Sequence, residues 1–147
     1  MVQTLQAIFE RDIKKLHSEI SLYNHEANLW KTAPGILNSG GNLALHLVGN
    51  LNTYIGRELG GIDYVRDREA EFSSSQIPKE MVLESIDQTL QRVQAALENL
   101  QDEQLDHDFP IIIWDHPSTL GYTLIHLAAH LSYHLGQINY HRRLLDR

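Results

Sequence analysis

Cysteine is absent from the 147 residues. That excludes disulfides, thiolate metal ligands and a thiol nucleophile supplied by the chain itself. Proline is sparse, with four in all, and no apolar run approaches the roughly 20 residues of a membrane-spanning helix. The N-terminal "MVQTLQAIFERDIKKLH" carries charge within its first turns, so it reads as neither a signal peptide nor a span. Excess positive charge is also lacking. The formal balance is -7 with histidine neutral, which argues against general affinity for nucleic acid, because that affinity comes from neutralising phosphates. Arg142, Arg143 and Arg147 gather at the C-terminus, where cations complement a helix end. The expectation is a cytoplasmic protein with neither nucleic-acid nor membrane partners. Its length suits a single domain, residues 1–147, able to bury a core without cross-links.

What is present is helical periodicity. Leu5, Ile8, Phe9, Ile13, Leu16, Ile20 and Tyr23 recur at three- and four-residue steps, predicting a helix from Val2 to Glu26. "KTAPGILNSGG" breaks the pattern, and Asn38 or Ser39 is placed to cap a second helix from Asn42 to Leu59. "IDYVRDREAEFSSSQIPKE" is less periodic and reads as a connection. A third helix follows from Lys79 to Leu100, with Val82, Ile86, Leu90, Val93, Leu97 and Leu100 on its apolar face. A second connection contains Ile111 to Trp114, read as a short strand or a strap. Ser118 or Thr119 then caps a last helix reaching Leu145. Four long amphipathic helices joined by one or two longer connections describe a four-helix bundle. Bundle cores are where side chains on facing helices build metal sites.

Four of the nine histidines lie in "HLAAHLSYHLGQINYH", His126 to His141. At about 100° per residue, His126, His130, His134, Gln137 and His141 share one stripe beside the apolar residues Leu120, Leu127, Leu131 and Ile138. No Lys, Arg, Asp or Glu occurs between Ser118 and Asn139, which predicts that most of this helix is buried or lines a cavity. Two imidazoles one turn apart can chelate one ion. His126 and His134 stand about 12 Å apart along the axis, so they do not share an ion easily. Both His126 with His130 and His130 with His134 remain sterically open. The best third donor is His46, in the apolar context of Leu43, Leu45, Leu47 and Val48. The alternative is a core histidine bonded to backbone or to Asn50. His17, His25, His107 and His116 sit among charged residues and read as solvated.

"HLVGNL" on the second helix and "HLSYHLGQINYHRRL" at the C-terminus resemble the DinB-like superfamily of metal-dependent proteins. That superfamily includes YfiT-type proteins and the bacillithiol and mycothiol S-transferases. "YVRDREAEF" is a further block of similarity. The resemblance runs along the whole chain in helix order. It implies an all-α fold, an antiparallel four-helix bundle with a long crossover, often homodimeric. The superfamily's late motif, two histidines four residues apart with the second followed by x-Gly-Gln, falls on His130, His134, Leu135, Gly136 and Gln137. Its early ligand falls on His46. The resemblance thus implies His46, His130 and His134 as ligands and demotes His126. The fullest similarity, through "SYHLGQINYHRR", is to a branch of unassigned activity.

Three histidine ligands leave open positions on an ion, a catalytic rather than a structural arrangement. Zinc or nickel suits such a set, and iron is a further option. Asn50, Gln137 and His126 are candidates for holding the ligands in place, and Arg57 for meeting an acidic substrate group. Three functions are open. One is transfer of a low-molecular-weight thiol, which must be a co-substrate because the chain has no thiol. Another is metal-dependent hydrolysis, and the third is a non-catalytic metal-binding dimer serving a stress response.

Overall fold

The computed structural model describes residues 1–147, and its regular structure is helical throughout. Helix α1 spans Val2–Ser21, α2 Gly40–Leu51, α3 Arg68–Ser73, α4 Lys79–Leu97 and α5 Leu120–Leu145. Short 3₁₀ turns occupy Glu26–Trp30 and Asp102–Asp106. Helix α1 stops before the predicted Glu26, and the chain turns under Tyr23, which is fully buried. The Ser39 side chain accepts from the Asn42 N–H to cap α2, and Thr119 does the same for α5 through Tyr122. These are the hydroxyl caps such positions favour.

Four long helices form the bundle, and their polar contacts fix its directions. The Gln6 side chain donates to the Leu97 carbonyl, and Lys79 donates to the Tyr23 carbonyl; α1 and α4 are therefore antiparallel. Asn139 donates to Glu19, and the Asn24 N–H just past α1 donates to Asp146 just past α5, so α1 and α5 run parallel. Asn52 donates to Thr89 and accepts from Arg92, tying α2 beside α4. Gly40 packs against the Tyr23 hydroxyl and Lys79 donates to the Tyr23 carbonyl, so α2 and α4 start at the same end and run parallel, and residues 58–78 must traverse the bundle lengthwise between them. That is the long crossover.

The core is one continuous apolar cluster, including Phe9, Ile13, Leu16, Leu47, Leu51, Ile86, Val93, Leu124 and Leu131. Its side chains come from all four long helices. Burial of this kind contributes roughly 1.5–3 kcal/mol for each large aliphatic or aromatic side chain. No helix is long and apolar enough to cross a membrane.

Three expectations need correction. The segment read as a mere connection contains α3, capped by the Asp67 side chain on the Ala70 N–H. Ile111 to Trp114 forms no strand; only isolated bridges occur, one of them between Asp108 and Thr119. It is the strap, and it lies over the start of α5. Nor is α5 mostly hidden: Tyr122, Ile125, Tyr133 and Tyr140 are each more than half exposed. A helix without charge is not thereby a buried helix, because tyrosine leaves its polar end in water and its ring on the surface.

Candidate metal centre

His46 sits in the middle of α2, and His130 and His134 lie one turn apart on α5, which faces it. The three Nε2 atoms turn toward one another. His130 Nε2 lies 3.1 Å from His46 Nε2 and 3.1 Å from His134 Nε2. One ring nitrogen from each residue fits within a 4.8 Å spread. Nitrogens around one tetrahedral zinc, each about 2.0–2.1 Å from the ion, stand about 3.3 Å apart. The two short separations here match that spacing closely.

The outer nitrogens decide which lone pairs face inward. His46 Nδ1 is 3.0 Å from Glu71 Oε1. A carboxylate only accepts, so His46 donates from Nδ1 and its Nε2 lone pair points at the cluster. His134 Nδ1 is 2.7 Å from Gln137 Oε1, which fixes the same tautomer. This second bond holds the ring as a metal-ligating histidine is usually held. His130 Nδ1 is buried without a partner.

Electrostatics favour the uncharged form of two of the rings, His46 and His130. Burial pushes the His46 imidazole below its ordinary value, although Glu71 pulls the other way. His130 is pushed down to about 4, by burial first and then by the neighbouring His134 and His46. Neutral imidazole is the form that ligates. Three imidazoles with converging Nε2 atoms, two of them held with the lone pair inward, are a donor set that fits a divalent cation.

Glu71 is the main residue that sequence reasoning missed. It lies on α3 and is 5% exposed. Arg66 embraces it with Nε 2.8 Å from Oε2 and Nη2 2.9 Å from Oε1. Asn42 ties α3 to α2 by donating to the Glu71 and Ser74 carbonyls, and the Phe72 ring packs 5.0 Å from that of His46. Gly49 makes room for the carboxylate, since a Cβ there would stand 2.0 Å from Glu71 Oε2. That glycine, three residues after His46, was the available signal, because glycine inside a helix often marks a close approach. The other was the block "YVRDREAEF", which holds both Arg66 and Glu71.

The remaining candidates divide. Gln137 orients His134. His126 is exposed and packs its ring 4.8 Å from that of Trp114; it shares no hydrogen bond with His130. Asn50 is buried, yet its Oδ1 has no partner, so it does not hold a ligand ring; Glu71 does that for His46. Arg57 pairs with Glu58, Nε to Oε1 at 2.7 Å, and is absent from the cavity beside the histidines, which Arg66 and Arg68 line instead. The second helix was expected to run unbroken to Leu59. Residues Asn52–Arg57 form a π-turn instead, with Thr53 and Ile55 carbonyls accepting from residues five positions on. The wider turn changes the direction of every later side chain. His141 belongs to the core. Its Nε2 donates to the Lys31 carbonyl at 2.8 Å and its Nδ1 accepts from the Tyr23 hydroxyl at 2.7 Å.

A solved relative shares this architecture. The crystal structure of a conserved protein from Enterococcus faecalis superposes with a TM-score of 0.77 at 17% identity, covering 99% of this chain and 96% of that one. At that identity the likeness concerns the fold. No curated protein matches the chain. A family described as "Protein of unknown function (DUF1572)" matches residues 2–147. The chain therefore belongs to the DUF1572 family.

Proposed function

We propose that this protein is a divalent-metal-dependent enzyme whose ion is held by His46, His130 and His134. The observation that carries the reading is the convergence of three Nε2 atoms, two pairs of them 3.1 Å apart, beside a cavity of about 240 Å³. A purely structural zinc site closes with four protein ligands, whereas three leave room for a reacting molecule. Zinc or nickel suits three imidazoles. A bound ion would supply Lewis acidity, making a thiol or water more acidic and so more nucleophilic. Glu71 and Gln137 hold two rings in the ligating tautomer, and Arg66 holds Glu71. The DinB-like resemblance favours a low-molecular-weight thiol as the molecule activated, giving an S-transferase. Hydrolysis is the rival outcome of the same site.

The assay is conjugation of a small thiol to a haloarene by metal-loaded and EDTA-stripped protein. A rate that depends on the metal supports transfer. Equal rates exclude it, and metal-dependent ester cleavage in its place would favour hydrolysis. The exposed aromatic row on α5, with Tyr133 at 65% and Tyr140 at 62% exposure, supports a homodimer as the working assembly. Exposed aromatic surface, here with Arg143 stacked 5.3 Å over Tyr140, is typical of association faces.

A further inference from the structure

The cavity beside the histidines carries its own information about what enters it. It is bordered by Asn50, Tyr54, Arg66, Arg68, Trp114 and His126, with edges of His46 and His130. No carboxylate lines it, in a chain whose formal charge is -7. Glu71 stands behind the wall and is already engaged by Arg66 and His46. Arg68 is exposed and makes no ion pair. Three imidazoles add no negative charge, so a divalent ion would leave the cavity strongly positive. Such a site favours an anion.

Asn50 adds a second requirement. It is 8% exposed and its Oδ1 is buried with no hydrogen-bond partner. Buried polar atoms are nearly always paired, and Asn50 lines the cavity. A small turn of the amide would present Oδ1 to a donor entering from the cavity. The volume of about 240 Å³ corresponds to roughly eight waters at about 30 Å³ each, which limits the ligand to a small molecule.

Resting on the metal reading above, we propose that the cavity takes a small carboxylate bearing an O–H or N–H donor. Arg68 supplies the charge that attracts the carboxylate, and Asn50 Oδ1 accepts from the donor. The Trp114 indole and the His126 ring form the outer wall.

The test titrates glycolate and acetate into zinc-loaded, full-length protein by calorimetry, with zinc content measured on every sample. Wild type is expected to bind glycolate about tenfold more tightly than acetate, the worth of one good hydrogen bond. Asn50→Leu, and the smaller Asn50→Ala, are expected to reduce that ratio several-fold while keeping zinc and helicity. Arg68→Gln is expected to weaken both ligands alike, about fivefold. An unchanged ratio in the Asn50 variants overturns the donor half and assigns the amide to water. Unchanged affinities in Arg68→Gln overturn the anionic half. Protein that holds zinc but binds neither carboxylate overturns this inference alone, whereas wild type that takes up no zinc overturns the metal reading with it.

Discussion

At the scale of single residues, the converging histidines are held by neighbours outside the cluster: Glu71 holds His46 and Gln137 holds His134. Glu71 is the most consequential of these, because it fixes the His46 tautomer from a buried position. Glu71→Gln is predicted to lower divalent-metal affinity by about 10–100-fold, the usual effect of removing such a partner. Competition with a chromogenic chelator measures this, and an unchanged affinity would contradict the role. Gly49→Ala should act through the same carboxylate, because its Cβ would stand 2.0 Å from Glu71 Oε2. Reduced metal affinity with α2 intact is the expected result.

The three converging histidines were legible through the resemblance, whose late motif falls on His130, His134, Gly136 and Gln137 and whose early position falls on His46; spacing alone had left His126 open as the partner of His130. Glu71 was hidden because its role depends on a distant segment folding back over α2. Asn50 was legible as buried but not as unpartnered, a property that appears only once its surroundings exist.

At the scale of elements, helix existence followed from apolar periodicity, while the ends followed from tertiary contacts. Helix α1 ends where Tyr23 turns into the core to meet His141. Tyr23→Phe is predicted to destabilise the protein by about 1–2 kcal/mol by leaving His141 Nδ1 without its donor. Urea unfolding would show it, and a variant as stable as wild type would contradict the assignment. The π-turn at the end of α2 was invisible to a 100° projection, which is why Arg57 was aimed at a site it does not line. Helix α3 escaped the periodicity test because six residues span too few turns to show a repeat.

At the scale of the whole molecule, the crossover carries Arg66, Arg68 and Glu71 across the face of the bundle, so the topology itself delivers the missing half of the site. Proton linkage acts at this scale too. Burial lowers the folded-state values of His46, His130 and His141 below the ordinary 6.5. Below that value the unfolded chain therefore binds more protons than the folded one, and stability falls as the pH is lowered. Metal-free protein should keep a constant Tm above about pH 6.5 and lose stability as pH drops toward about 4. His141→Gln should shrink that dependence, as thermal melts across the range would reveal. A flat profile would contradict the linkage. Association is testable separately: Tyr133→Lys with Tyr140→Lys is predicted to convert a dimer into a monomer by light scattering. A wild type that is already monomeric would remove that proposal.

The central claim is that His46, His130 and His134 together hold one divalent ion. Elemental analysis of untagged protein, wild type beside His134→Ala, tests it most directly. The account predicts close to one zinc or nickel per chain in wild type, and its loss in the variant with helical circular dichroism unchanged. Full metal content in His134→Ala, or none in wild type after reconstitution, would contradict it.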